Sequence, residues 1–281
     1  MNEIILKSPA KVNLFLDVFG KREDGYHELK TIFHKLELHD LVWIKKTDSK
    51  DVTVKCSNPY VPEDEKNICW KVANSLKNRY DIESGLEIDI TKKIPVSGGL
   101  GGGSSNGAKV MEGMDKIFDL GLSDEEKIRI GSSIGADLPV FIKEDQCIYA
   151  EGIGDVLKPL NKSLREEVFL IDPMIDFPEN FHKTKWAYQE IDKMNWKHPK
   201  PRKLIKTIEN GKEGIFENLF NVFEDVMMSE FPEIESILNS LRSKGINSIL
   251  CGSGPTVIAF SDKVPEDIRK YGSIIETRLG V

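Results

Sequence analysis

The sequence predicts an α+β fold, and three observations predict it. Strand-like and helix-like segments occur in both halves of the 281 residues, without the strict alternation of a doubly wound sheet. Leu86, Ile88 and Ile90 alternate with polar residues as in a half-buried strand. Ala108, Met111, Met114, Ile117 and Phe118 recur at spacings of three and four, as on one face of a helix. Between that strand and that helix lies Lys93-Ile94-Pro95-Val96-Ser97-Gly98-Gly99-Leu100-Gly101-Gly102-Gly103-Ser104-Ser105-Asn106.

In chain order, residues 2–56 read as strands. Val12, Leu14, Leu16 and Val18 face one way and Lys11, Asn13 and Asp17 the other, the period of two that a pleat imposes. Ile32–Leu38 and Leu41–Ile44 read as further strands, and Asn67–Tyr80 as a helix with Ile68, Val72 and Leu76 on one stripe. Ser123–Gly135 reads as a helix capped by Ser123, with Glu126 three residues on. Residues 158–166 carry charges and few apolar positions, which divides the chain into an N-terminal domain, 1–157, and a C-terminal domain, 158–281. The second half then offers a strand (Val168–Ile171), an irregular stretch rich in proline and aromatics, and helices near 184–192, 201–208, 214–228 and 232–244. Ser248–Leu250, Cys251-Gly252-Ser253-Gly254-Pro255 and Thr256–Phe260 read as strand, turn and strand. A helix over Pro265–Tyr271 and a last strand complete it.

The glycine run carries the first functional signal. Glycine lets the backbone bend where a Cβ would clash, and Ser104, Ser105 and Asn106 are good helix N-caps. A strand, a glycine loop and a helix start present bare N–H groups and the positive end of a helix dipole to an anion, most often a phosphate. A flexible linker is polar on both sides, whereas this run has apolar neighbours. No Gly-Lys-Ser/Thr ends it, so it is not a Walker A loop. Read from Gly99-x-Gly101, the third glycine of a dinucleotide fingerprint falls on Ser104, so it is not that either.

Composition narrows the classes further. Thirty-nine basic against 46 acidic residues leave a net charge of −7, which argues against broad nucleic-acid binding. No run approaches the roughly 20 apolar residues of a membrane span. The opening Met-Asn-Glu-Ile-Ile-Leu-Lys-Ser lacks the apolar core of a signal peptide. The cysteines at 56, 69, 147 and 251 are widely spaced with no C-x-x-C, and read as core or near-core thiols of a cytoplasmic protein.

Six islands occur in fixed order: Ser8-Pro9-Ala10-Lys11-Val12-Asn13-Leu14; Gly25-Tyr26-His27-Glu28-Leu29; the glycine loop; Gly135-Ala136-Asp137-Leu138-Pro139-Val140-Phe141; Ala150-Glu151-Gly152-Ile153-Gly154; and Gly252-Ser253-Gly254-Pro255-Thr256. Together they resemble the GHMP kinase superfamily over nearly the whole length. The resemblance implies an N-terminal domain like ribosomal protein S5 domain 2, which binds ATP, and a ferredoxin-like α/β C-terminal domain. The pairing of the first two islands points to the branch in which ATP phosphorylates the 2-hydroxyl of a cytidine diphosphate–methylerythritol, in non-mevalonate isoprenoid synthesis. The expected partners are ATP, Mg²⁺ and that small molecule. No nucleic acid or membrane is expected, and the chain would be a monomer or weak homodimer.

The resemblance also assigns residues. Pro95, Val96, Ser97, Gly98, Gly99, Leu100, Gly101, Gly102, Gly103, Ser104 and Ser105 would wrap the ATP phosphates with backbone N–H donors. Ser105 or Ser104 would add a hydroxyl to phosphate or Mg²⁺, Ser105 being the candidate metal contact. Ser97 stands where the family often has glycine and needs a compatible φ. Asp137, in a mostly apolar setting, would accept or orient the proton of the substrate hydroxyl; by itself it reads as a helix cap. Lys11 would stand beside that aspartate and the transferred phosphate and stabilise charge there; by itself it reads as a solvated strand lysine. Asn13 would hold the substrate hydroxyl or phosphate. Tyr26 would stack on cytosine and His27 would hydrogen-bond its edge; by themselves they read as a loop aromatic and a surface histidine. Asn67 and Lys92 are carried over to the adenine end of ATP. Gly252–Thr256 would form a turn packed against the site.

One segment departs from the family pattern. Where a Ser/Thr-rich segment often precedes a Val-Tyr pair and helps to grip the cytidine, this chain reads Asp176-Phe177-Pro178-Glu179-Asn180-Phe181-His182-Lys183-Thr184-Lys185-Trp186-Ala187-Tyr188. The second stacking face is left open between Phe181 and its neighbours. The rival readings are a GHMP kinase for homoserine, a mevalonate derivative or a sugar; a non-catalytic ligand-binding relative; and an RNA-binding module. Gly25-Tyr26-His27 speaks against the first, the presence of Lys11 and Asp137 against the second, and the acidic charge against the third.

Overall fold

Two long strands run through the computed structural model: β1 (Glu3–Lys21) and β2 (His27–Thr47). Residues 1–178, 181–211 and 214–280 are described, so Glu179 and Asn180 of the departing segment lie outside the described residues. The chain's contacts divide it into two units. The first comprises Met1–Ala10, Leu38–Val96 and Gly101–Glu144; the second comprises Lys11–Glu37, Ser97–Leu100 and the chain from Asp145 onward.

In the first unit, β3 (Val52–Cys56) and β4 (Gly85–Thr91) lie parallel, and β4 is antiparallel to the end of β2, with Leu41 opposite Thr91 and Ile44 opposite Ile88. Leu86, Ile88 and Ile90 alternate inward as their period requires. Four helices follow the sequence: α1 (Ile68–Arg79), α2 (Gly102–Phe118), α3 (Asp124–Ser132) and α4 (Leu138–Ile142). Ala108, Met111, Met114 and Ile117 are buried as their spacing predicts. A Cβ at Gly107 would meet Ile68 Cγ2 at 2.6 Å, so only glycine lets α1 approach α2 this closely. Ser123 caps α3 by accepting from the Glu126 N–H at 3.2 Å.

Helix α2 begins earlier than its capping residues suggest. Gly101, left-handed at φ 69°, is the cap, and Ser104, Ser105 and Asn106 fall inside the helix. The Ser105 and Asn106 side chains bond to Ser8 and Asp40 instead, and no side chain caps this end. Helix α4, five residues long with Pro139 in its first turn, carries no strong periodic signal and is absent from the sequence reading.

The second unit adds β5 (Cys147–Gly152), β6 (Val156–Pro159), β7 (Glu167–Asp172), α5 (Lys183–Ile191), α6 (Arg202–Asn210), β8 (Phe220–Asn221), α7 (Phe223–Glu230), α8 (Pro232–Ser243), β9 (Ser248–Leu250), β10 (Val257–Ala259) and β11 (Ser273–Arg278). β5 is antiparallel to the start of β2 and carries β6; β8 lies parallel to β1 at Phe15 and Leu16. A separate antiparallel sheet runs β11-β7-β10-β9. Phe169, Ile171, Phe223, Met227, Leu238 and Val257 belong to its core.

Three expectations are corrected here. The helix predicted over 214–228 is broken into a 3₁₀ turn (Ile215–Asn218), β8 and α7, because Phe220 and Asn221 pair with β1. Asn221 then accepts from the Phe223 N–H at 3.0 Å, which starts α7. The segment after Pro265 is a 3₁₀ helix (Glu266–Tyr271), not an α-helix. β1 is buried on both faces between Ser8 and Val18, so Lys11, Asn13 and Asp17 are interior. Each has hydrogen-bond partners there, the condition on which polar groups enter a core. The cysteines are free thiols; burial pushes Cys69, Cys147 and Cys251 up to about 12.

Candidate active site

Lys11 is placed by β1 and held by a chain of polar contacts within the second unit. Its ammonium donates to Asn13 Oδ1 at 2.9 Å and to the Gly99 carbonyl at 3.1 Å, and lies 5.4 Å above the centre of the Phe33 ring. Asn13 Nδ2 donates to Thr31 Oγ1 at 2.8 Å, and that hydroxyl donates to the Phe15 carbonyl at 2.7 Å. The Lys11 N–H also donates to the Leu100 carbonyl at 3.0 Å. Lys11, Asn13, Gly99 and Leu100 are therefore brought together. Thr31 and Phe33 escaped the sequence reading, because a threonine and a phenylalanine on a strand look like packing residues.

The turn after β9 sits against the same loop. A Cβ at Gly99 would collide with the Cys251 carbonyl, and a Cβ at Gly252 would come within 2.9 Å of the Gly99 oxygen and 3.5 Å of Lys11 Nζ. Bare backbone is required on both sides. Asn221 Nδ2 fixes this turn by donating to the Leu250 and Gly252 carbonyls at 2.8 and 2.7 Å.

In the first unit the glycine loop opens α2. With Gly101 as the cap and no side chain capping it, the first N–H groups of a 17-residue helix are left to a ligand or water, and Gly103 is exposed without a Cβ. This fits a polyphosphate. Ser105 is fully buried and takes the hydroxyl proton of Ser8 at 2.8 Å, whereas Ser104 is half-buried. Magnesium in kinase sites keeps waters and phosphate oxygens and takes only one or two protein ligands; Ser104 fits such a contact and Ser105 does not.

Asp137 occupies the cap position of α4, but its side chain makes no cap hydrogen bond to that helix and is partly exposed. Two residues earlier, Gly135 borders the first turn of α2: a Cβ there would lie 3.6 Å from Ser104 Oγ. The backbone two residues before the aspartate thus lies beside the first turn of α2.

The side chains of Asn67 and Lys92 are engaged within the first unit. Asn67 Oδ1 caps α1 by accepting from the Cys69 N–H at 2.8 Å, and its Nδ2 donates to the Pro62 carbonyl at 2.6 Å. Lys92 pairs with buried Asp40 and donates to Asn106 Oδ1 at 3.3 Å. Tyr26 follows the Arg22–Gly25 turn and is 55 % exposed. His27 stacks on Tyr188 with ring centres 4.6 Å apart and lies 2.8 Å, Nε2 to Oδ1, from Asp192. Phe181 packs against Phe177 and Trp186, 5.6 Å from each. The stacking partner of His27 is thus Tyr188; the unclear match of the departing segment hid it.

In the second unit Asn13 and Gly99 hold the Lys11 ammonium; in the first unit lie the uncapped start of α2 and the Asp137 carboxylate. Family models for the N-terminal and C-terminal domains of GHMP kinases match residues 67–144 and 202–272. The chain belongs to the GHMP kinase family and has its two-domain, mixed α+β fold. It is 40% identical over 275 residues to the 4-diphosphocytidyl-2-C-methyl-D-erythritol kinase of Acetivibrio thermocellus, covering 96% of this chain and 94% of that one. It is 36% identical over 280 residues to the enzyme of the same name from a strain of Clostridium botulinum, covering 98% and 97%. A crystal structure of 4-(cytidine 5'-diphospho)-2C-methyl-D-erythritol kinase superposes with TM-score 0.80 at 26% identity, covering 99% of this chain and all of that one. The homoserine kinase of Cytophaga hutchinsonii, at TM-score 0.70 and 15% identity with 99% and 95% covered, shares the fold. Among the described residues no helix is long and apolar enough to cross a membrane.

Proposed function

We propose that this protein transfers the γ-phosphoryl group of ATP to the 2-hydroxyl of 4-diphosphocytidyl-2-C-methyl-D-erythritol. The observation that carries the reading is near-full-length identity of 36–40% to relatives bearing that activity's name. The Gly25-Tyr26-His27 island, with its exposed Tyr26 ring, supports the cytidine. The reading includes domains 1–157 and 158–281, a cytoplasmic location, and a monomer or weak homodimer.

Asp137 takes the proton of the acceptor hydroxyl as its oxygen forms a bond to the γ-phosphorus; the bond from phosphorus to the bridging oxygen breaks and ADP leaves. Lys11 stabilises the charge of the phosphoryl group in transit, and its tethers to Asn13 and Gly99 fix its position before substrate arrives. The N–H groups of residues 102–104 and the loop from Pro95 hold the phosphates. Mg²⁺, when bound with the nucleotide, neutralises phosphate charge; Ser104 is the hydroxyl suited to reach it. Asn13 contacts the acceptor end. Asn67 and Lys92 shape the adenine end, since their side chains are already engaged. Tyr26 stacks on cytosine and the edge of His27 reads it, with Tyr188 backing the imidazole.

ADP release from Mg-ATP is the test, with the cytidine substrate set against homoserine, mevalonate and galactose. Turnover with the cytidine substrate alone is expected; turnover with another alcohol overturns the substrate. Asp137→Ala and Lys11→Ala should each lower kcat by a factor on the order of 10² or more with folding kept. Near-normal turnover by either variant overturns its role.

A further inference from the structure

Lys183 occupies a costly place. It is the first residue of α5, where the helix dipole disfavours a cation, and it is 8 % exposed. Its ammonium donates to the Ser253 carbonyl at 3.0 Å, to Ser253 Oγ at 3.4 Å and to the Gly254 carbonyl, all neutral oxygens. Thr184 adds a hydroxyl contact to Ser253 Oγ at 3.0 Å. Burial first, then the charge of Lys11, pull its pKa down from 10.5 to about 7; Asp172 and Cys251 oppose this weakly. A buried ammonium repelled by a second one is destabilising unless it does something the fold needs.

Its contacts lead to the transfer site. The turn it grips is closed by the Gly254 N–H donating to the Cys251 carbonyl at 2.8 Å. That carbonyl packs directly against Gly99, whose own oxygen receives the Lys11 ammonium. Lys183 and Lys11 thus hold two backbone segments that pack on each other, the 251–254 turn and Gly99, and displacement of the turn displaces the carbonyl that aims Lys11. Three N–H donors match three oxygens; the neutral amine has two donors and turns a lone pair toward the third.

We propose that Lys183 is a positioning residue for phosphoryl transfer: by gripping the Ser253–Gly254 turn it sets Gly99 and, through Gly99, the Lys11 ammonium. The role rests on the kinase reading above. It separates two quantities that ordinarily move together. Loss of the Lys183 proton as pH rises through about 7 loosens the grip and lowers kcat. The same range raises stability, because the unfolded lysine, titrating near 10.5, binds more protons than the folded one.

The test compares wild type, Lys183→Met and Lys183→Arg in full-length protein. Lys183→Met should lower kcat at pH 6.5 by about tenfold to a hundredfold, the scale of a small misplacement. KM for ATP should change less than about twofold, since Lys183 does not touch the nucleotide in this account. The Gly99 and Gly252 amide NMR signals should shift while that of Gly121 stays. Lys183→Arg, which keeps a cation that does not titrate, should retain activity and lose the fall of kcat above about 7. Unchanged kcat and unchanged Gly99 signals in Lys183→Met overturn the proposal. If that variant fails to fold, Lys183→Arg decides, and an alkaline fall identical to wild type overturns it. The NMR arm needs no substrate: if wild type fails to turn over the cytidine compound while the Gly99 signal still moves, the substrate reading fails and the positioning role stands.

Discussion

Ser97 shows what a single residue costs at a site built from glycine. Its φ is +60°, and it is exposed. A left-handed conformation costs an ordinary residue roughly 1 kcal/mol, and the greater freedom of unfolded glycine returns about half of that. Ser97→Gly is expected to stabilise the protein by about 0.5 kcal/mol in urea unfolding, while Ser97→Ala, which keeps the strain, should match wild type. A glycine variant less stable than the alanine variant by about 0.5 kcal/mol would show that this φ costs nothing. The need for a glycine-like φ was legible through the resemblance, since the family often has glycine where Ser97 stands. The Lys11–Asn13 pair was legible too, since residues two apart on a strand share a face. Tyr188, Asp192 and Lys183 were not, because their relation to His27 and Gly254 spans some 70 to 165 positions and has no local period.

At the scale of elements, buried Asp40 organises the approach to the glycine loop. One carboxylate oxygen accepts from the Lys93 and Ile94 N–H groups at 2.7 and 2.9 Å; the other takes Lys92 and Asn106 Nδ2. β2, the strand end leading to the loop and the first turns of α2 are thereby tied together within the first unit. Truncating one member of such a buried network leaves charges and N–H groups without partners. Asp40→Ala is expected to cost about 3–5 kcal/mol in urea unfolding, with Asp40→Leu/Lys92→Leu recovering part of it. A cost below about 1 kcal/mol would mean that water replaces the carboxylate. Long periodic elements such as α2 and β4 were readable because burial repeats along them. The break at β8 was not: its two residues are decided by a partner strand some 200 positions away, Phe220 against Phe15.

At the scale of the whole chain, closure of the second unit depends on a neutral histidine. His34, fully buried in β2, donates from Nδ1 to the Lys35 carbonyl at 2.8 Å, and its Nε2 accepts from the Leu164 N–H at 2.9 Å. The surrounding backbone joins the middle of β2 to the end of the chain: Gly280 N–H donates to the Lys35 carbonyl at 3.0 Å, and Leu279 N–H to Glu166 at 2.9 Å. A second proton on the ring would set one N–H against another. Burial, then the Lys35 charge, hold the imidazole down at about 4, against 6.5 for an ordinary histidine. Between those values the unfolded chain binds the additional proton, so this group makes stability fall as pH drops from about 6.5 to about 4 and has no effect above that range. His34→Gln cannot titrate there. It should be less stable than wild type at pH 7 and should lose less stability between pH 7 and pH 5, read as the urea midpoint at each pH. Parallel losses in the two proteins would remove His34 as the titrating group and leave the acid sensitivity to carboxylates, whose protonation lies lower.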